Sequence, residues 1–328
     1  MRRRGHGAGV VAIVGTAALL GSCLNAGQDR VLAIQATGII KGLVYFDRDG
    51  NGVPDAADTA LSGVTVRLIV SGTQDTVARA VSDTGGLLRF DGVPIGTIVV
   101  AVDSTTIPTD SLRITRIDVS TVKVTPGDSF AVRVAVSFPQ LDVTNARTYA
   151  LGKKVFVVGV ALNNVSAFGD STVHLADTTA AILLTGVRPL VAAGDSVRVL
   201  GTRRTRSGQP TLANPTIVGL SVGAATPSHQ VTTALAAQAD SGRIDAALAS
   251  IVGATVQDTA TVAGNRRLTV TDGSGPLTMQ LDTIAGFRGA ALALDTLGAT
   301  LDAVGVLVPS GVGTWLLLPR ARADVVVR

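Results

Sequence analysis

The sequence predicts an all-β protein: a β-sandwich followed by two OB-like five-stranded barrels. Three observations carry that expectation. The acidic residues of this 328-residue chain are all Asp, with no Glu and only four Lys. Glu and Lys favour helices, whereas the abundant Val and Thr suit a pleated sheet and Gly and Asp suit turns. From Gly38 onward, apolar-alternating runs are separated by turn clusters at intervals of roughly ten residues, the rhythm of sandwiches and barrels. Finally, one five-run pattern occurs twice in the second half of the chain.

Mean hydropathy is high, +0.43, yet no apolar run reaches the roughly 18 residues needed to span a bilayer as a helix. The hydrophobicity is spread over short strands instead. The N-terminus reads as a processing segment, 1–22, to be set apart from the fold: basic Met1-Arg-Arg-Arg4, apolar Val10 to Leu20, then Leu20-Gly-Ser-Cys23. Leu-Gly-Ser-Cys resembles the lipobox of bacterial lipoproteins. That resemblance implies lipidation of Cys23 and a membrane anchor. Cys23 is the chain's single cysteine, so no disulfide is available and stability rests on packed cores and a metal. Loss of Arg2, Arg3 and Arg4 with the signal lowers the formal charge from +4 to +1. A nearly neutral chain is a poor electrostatic match for nucleic acid or an anionic membrane.

Residues 23–37 read as a tether and 38–139 as the sandwich. Val64, Val66, Leu68 and Val70 alternate with Thr65, Arg67 and Ile69; Phe130, Val132, Val134, Val136 and Phe138 alternate likewise. Each set places an apolar stripe on one strand face. Ser82-Asp-Thr-Gly-Gly86 and Asp91-Gly-Val-Pro-Ile-Gly96 are turns bounding strands near 77–81, 87–90 and 97–103. Pro139 resets the pattern. Runs from Lys154, Thr172, Ala181, Gly194 and Gln209 are echoed by runs from Ile251, Arg267, Pro276, Gly298 and Thr314. In both copies one strand ends in Asp before a turn (Asp177, Asp272), and a later strand is framed by glycines. This order fits OB-type barrels over 140–222 and 243–328. Residues 223–242 become a linker with a short helix in its Ala-rich part.

The most specific chemistry lies in Asp47-Arg-Asp-Gly-Asn-Gly-Val-Pro-Asp-Ala-Ala-Asp58. Asp47, Asp49, Asn51, Asp55 and Asp58 place side-chain oxygens at loop positions 1, 3, 5, 9 and 12. Val53 offers a backbone carbonyl at position 7, and Gly52 permits the sharp turn at position 6. That is the spacing of a Ca2+ loop. Asp58 is shorter than the Glu usual at position 12, which predicts weak binding, in the roughly 10⁻⁴–10⁻³ M class of extracellular modules. Strand-like flanks exclude a helix–loop–helix.

Gly42-Leu-Val-Tyr-Phe-Asp-Arg-Asp-Gly-Asn-Gly-Val-Pro-Asp, Leu61-Ser-Gly-Val-Thr-Val-Arg-Leu and Thr84-Gly-Gly-Leu-Leu-Arg-Phe-Asp-Gly-Val-Pro-Ile-Gly together resemble the B-type repeat of serine–aspartate-repeat surface proteins. The resemblance covers 38–103 and extends toward 138. It implies an Ig-like or prealbumin-like sandwich, calcium stiffening and a stalk or adhesion role. Related collagen-adhesin B domains carry a Lys–Asn isopeptide bond. Lys41 lies in the first strand, but no Asn occurs between Asn51 and Asn145, so the crosslink is not expected here.

Arg203, Arg204 and Arg206 form a local basic cluster and are the candidate nucleic-acid contacts. Phe156, Phe168, Phe287 and Trp315 are candidate aromatic platforms or core. Outside the signal only His174 and His229 remain, and no nucleophile elbow, phosphate loop or zinc-ligand spacing appears. The expectation is therefore an exported, lipid-anchored, non-enzymatic binding or structural protein at the outer membrane or cell surface. Its partners would be the membrane, through Cys23, and a surface protein or glycan. The alternative is an extracellular nucleic-acid- or glycan-binding protein acting through the OB-like barrels.

Overall fold

The computed structural model describes residues 36–188, 191–288 and 296–328. The signal segment, Cys23 and nearly all of the tether lie outside the described residues. The all-β expectation holds, and the helices are short.

The first unit is a sandwich of two sheets. One sheet has the order β2 (Thr59–Ala60), β1 (Thr37–Phe46), β9 (Ser129–Ser137), β7 (Arg113–Ile117), with β5 (Leu87–Pro94) also pairing to β1. The other runs β4 (Thr76–Val81), β3 (Thr65–Val70), β6 (Gly96–Val102), β8 (Thr121–Val124). The stripes predicted from alternation meet between the sheets: Val64, Val66 and Leu68 pack with Val132, Val134 and Val136 in one buried cluster. Strand β9 lies parallel to β1, from Ile39↔Ser129 to Phe46↔Val136, so the last strand of the unit clamps its first. Strand β7 carries no fully buried residue, which is why apolar alternation did not mark it.

The second unit is a closed barrel in the order β10 (Lys154–Ala161), β11 (Thr172–Ala176), β12 (Ala181–Thr185), β14 (Gln209–Ser221), β13 (Ser196–Arg206). The third repeats it: β16 (Leu248–Val262), β17 (Asn265–Thr271), β18 (Leu277–Leu281), β20 (Thr314–Leu318), β19 (Thr300–Gly311), closed by β16–β19 pairing. The third and fifth strands run parallel in both, β12 with β14 and β18 with β20. The segment read as linker adds an edge strand, β15 (Ser228–Gln230), and β21 (Val325–Val327) pairs with β19.

The recurring Asp has a physical reason. A short helix precedes each barrel, α1 (Val143–Thr148) and α2 (Thr233–Ala237). Asp177 accepts from the Val143 N–H at 2.8 Å, and Asp272 accepts from the Thr233 N–H at 3.1 Å. Each Asp thus satisfies an orphan donor at a helix start and pins that helix to its barrel. The closing glycines are equivalent too. A Cβ at Gly201 would lie 2.7 Å from the Leu212 side chain, and one at Gly305 would lie 2.8 Å from the Leu318 backbone, so each barrel crosses itself at a glycine.

The three units form one joined chain of contacts. Phe46, Phe138 and Phe156 run across the sandwich–barrel joint, with ring centroids 5.7 and 6.5 Å apart. Arg198 lies over Phe156 at 5.2 Å, and Lys153 pairs with Asp110 at 2.8 Å. Leu162, Ala176 and Ala181 of the first barrel belong to the same buried cluster as the core of the second. Arg320 donates to the Leu162 carbonyl at 2.7 Å while paired with Asp324. Among the described residues, no helix is long and apolar enough to cross a membrane.

Candidate metal centre

Strand β1 ends where the loop begins. Its last ladder partner is Val136, whose carbonyl accepts from the Asp47 N–H at 2.9 Å, and Ser137 Oγ donates to the Asp47 carbonyl. This pins Asp47 at the bottom of the loop, where it is fully buried. Gly50 and Gly52 take positive φ, +68° and +75°, a region open to glycine at little cost. The reversal lets two backbone N–H groups point back at Asp47: Asn51 donates to Oδ1 at 3.1 Å and Gly52 to Oδ2 at 2.8 Å. Asp58 closes the other side, accepting from the Arg48 and Asp55 N–H groups at 2.9 and 3.1 Å.

The result brings together three of the six predicted ligands. Carboxylate oxygens of Asp47, Asp49 and Asp58 lie within 4.8 Å of one another. Asn51 and Asp55 are turned to local backbone: Asn51 Oδ1 accepts from the Val53 N–H at 2.6 Å and Asp55 Oδ1 from the Ala57 N–H at 2.7 Å. The Val53 side chain is exposed. Electrostatically the site is short of positive charge. Burial pushes the Asp47 carboxyl up, the N–H bond from Gly52 partly offsets this, and neighbouring Asp49 and Asp58 push it further. Tyr45 is pushed up to about 12, by burial first and then by Asp47 and Asp58. An all-oxygen donor set with a buried carboxylate among like charges fits a hard divalent cation.

The loop also touches the next unit. Arg198 of β13 donates to the Gly50 carbonyl, and a Cβ at Gly50 would press on Arg198 and Phe156. No local pattern marks this contact, because Arg198 lies 148 residues away.

The arginine cluster does not form one face. Successive strand residues point to opposite sides. Arg203 is therefore turned inward, 7% exposed, donating to the Arg147 carbonyl through Nε and Nη2 at 3.0 and 2.6 Å. Arg204 is exposed, and Arg206 pairs with Asp170 at 3.4 Å. As a nucleic-acid contact Arg203 is corrected: it is a buried brace. Among the aromatic candidates, Phe156 and Phe287 are core, whereas Phe168 and Trp315 are only partly buried. His174 is buried and His229 lies exposed on β15. Lys41 is exposed on β1, consistent with the missing Asn partner.

Among solved structures, a minor pilin of Streptococcus agalactiae is 18% identical, matching 32% of this chain and 45% of its own length with a TM-score of 0.23. The TIE protein of Bacillus anthracis is 10% identical over 84% of this chain and 46% of its own, TM-score 0.24. A murine DNA binding protein solved with double-stranded DNA is 7% identical over 53% and 97%, TM-score 0.29. This chain thus spans less than half the length of the first two. No curated protein matches. A family model, that of the SdrD B-like domain, matches residues 39–135. That match falls on the sandwich that carries the Asp47–Asp58 loop.

Proposed function

We propose that this chain is an exported, non-enzymatic structural and binding protein of the cell surface, anchored by lipid at Cys23 and braced by one Ca2+ in the loop 47–58. The observation that carries the calcium reading is the convergence of Asp47, Asp49 and Asp58 on one another with Asp47 fully buried. The SdrD B-like match supports the surface role. Asp47, Asp49 and Asp58 would hold the ion, and the ion would cancel the repulsion among the three carboxylates and offset the burial of Asp47. Because the Gly50 carbonyl of the same loop accepts from Arg198, fixing the loop also fixes the sandwich against the first barrel. The brace serves a stalk: it removes a hinge.

With a dissociation constant in the weak class, about 5 mM calcium stabilises the native state by roughly 1–2 kcal/mol, or about 5–10 °C in the melting of a unit this size. Calorimetry in calcium against chelator reads this shift, and Asp47→Ala with Asp49→Ala abolishes it. An unchanged melting temperature in calcium would sink the brace. The anchor is tested separately by mass spectrometry of the chain purified from membranes. A diacylglyceryl-sized mass increment on the peptide starting at Cys23 is expected, and Cys23→Ser loses both the increment and the membrane fraction. An unmodified Cys23 in membrane-derived protein would refute lipidation.

A further inference from the structure

A cleft opens between the two barrels, walled by the β13–β14 hairpin on one side and the β19–β20 hairpin on the other. It has two adjoining compartments of about 230 and 610 Å³ that share Ser207, Gln209 and Pro309. Phe168, Asp170, His174 and Arg206 line the smaller, and Trp315 lines the larger.

His174 is the unexplained group. It is 2% exposed, and its Nε2 has no hydrogen-bond partner. A buried polar atom without a partner costs stability, so its persistence points to a ligand. The network also says what Nε2 offers. Asn163 Nδ2 donates to the Asn164 and Thr172 carbonyls at 2.9 and 3.0 Å, which fixes Asn163 Oδ1 as the acceptor facing His174 Nδ1 at 3.0 Å. Nδ1 therefore carries the proton and Nε2 presents a lone pair. Burial keeps the ring neutral, with its pKa lowered to about 4. The ligand must bring a hydroxyl or N–H donor.

Charge and shape narrow the class. Arg206 is matched by Asp170, and Asp245 adds a second carboxylate to the lining, so a polyanion meets no surplus of positive charge. Trp315 is held by its Nε1–H bond to Asp245 at 2.8 Å, and the same Oδ1 accepts from Gln209 Nε2 at 2.7 Å. A fixed indole and the partly buried Phe168 give flat apolar surfaces edged by polar groups. That pairing suits a polyhydroxylated ring, whose faces are apolar and whose edges donate and accept.

We infer that this inter-barrel cleft binds a short neutral saccharide, one ring seated by Phe168 and His174 with a hydroxyl donating to His174 Nε2, and the next ring against Trp315.

Trp315 is the chain's sole tryptophan, so its emission reports the site directly. The whole chain is titrated with cellotriose, maltotriose and tri-N-acetylchitotriose, and with a single-stranded oligothymidylate for comparison. A saturable change in Trp315 emission is expected with at least one trisaccharide. Removing one hydrogen bond to the sugar weakens binding about tenfold in His174→Leu and similarly in Arg206→Ala. Arg206 is exposed, so its variant carries the test if His174→Leu does not fold. Affinity stays level between about pH 7.5 and 5.5, because Nε2 remains unprotonated throughout. No saturable response to any trisaccharide at about 10 mM, undiminished binding in every folded variant, saturation by oligothymidylate only, or a tenfold loss as pH falls through the ordinary histidine range each overturns the inference. The calcium brace is read in melting temperature and this site in Trp315 emission, so the two fail independently.

Discussion

Replacing Asp245 with alanine is expected to lower stability by about 3–5 kcal/mol, the range for stranding one partner of a buried ion pair. Asp245 is 3% exposed and sits where the two barrels meet. Its Oδ1 accepts from Gln209 and Trp315, and its Oδ2 faces Arg147 Nη2 at 3.4 Å. Arg147 reaches it from α1, donating as well to the Ala181 and Asp245 carbonyls at 2.6 and 2.9 Å. Alanine leaves that guanidinium buried without its counter-charge and frees two further donors at once. The retained carbonyl partners place the expected loss toward the lower end of the range. Asp245→Asn keeps one acceptor oxygen and is expected to lose about half as much. Urea unfolding followed by Trp315 emission measures both. If each variant stayed within about 1 kcal/mol of the parent, the network would not be what joins the barrels.

Gly86→Ala is expected to cost about 2–4 kcal/mol, from the left-handed backbone and overpacking together. Gly86 has φ +73°, and a Cβ there would lie 2.2 Å from the Val44 carbonyl oxygen and 3.2 Å from the Leu61 nitrogen. Both obstacles are backbone held by hydrogen bonds that a shift would break: the Leu61 N–H donates to the Val44 carbonyl at 3.0 Å, and the Gly86 carbonyl itself accepts from the Val44 N–H at 2.8 Å. The neighbouring Gly85 is the internal control. It has no positive φ, and its Cβ would first meet Asp83 Oδ1 at 3.3 Å, the end of a side chain. Gly85→Ala is therefore expected to cost less than about 1 kcal/mol. Thermal unfolding of the two variants separates them, and equal losses would remove the close-approach explanation.

These cases show how far the sequence could be read. Alternation at 64–70 and 130–138 named strands whose buried stripes do meet in one core, because a period of two is set by backbone geometry within a few residues. The Thr84-Gly-Gly turn was legible for the same local reason. The repeat was legible as order, and Asp177 and Asp272 stood out as matched positions. Their task, capping the helix before each barrel, needed the fold, since the partners lie 34 and 39 residues away.

Arg203 marks the opposite case. Adjacency groups it with Arg204 and Arg206, yet strand geometry sends it into the interior and leaves the other two outside. The Asp47–Asp58 loop falls between. Spacing selected six ligand positions, and folding gathers three carboxylates while Asn51 and Asp55 bond to nearby backbone.

By itself, then, the sequence determined the all-β class, the core strands of the sandwich, the doubled five-strand pattern and the acidic loop. Each of these is written in spacings of two to twelve residues, over which the backbone's own geometry is decisive. Only the tertiary structure decided that Gly50 meets Arg198, that Asp245 gathers Arg147, Gln209 and Trp315, and that His174 keeps an unpartnered nitrogen in a cleft. Those contacts join residues 36 to 148 positions apart. Packing of whole sheets sets them, and no local period records them.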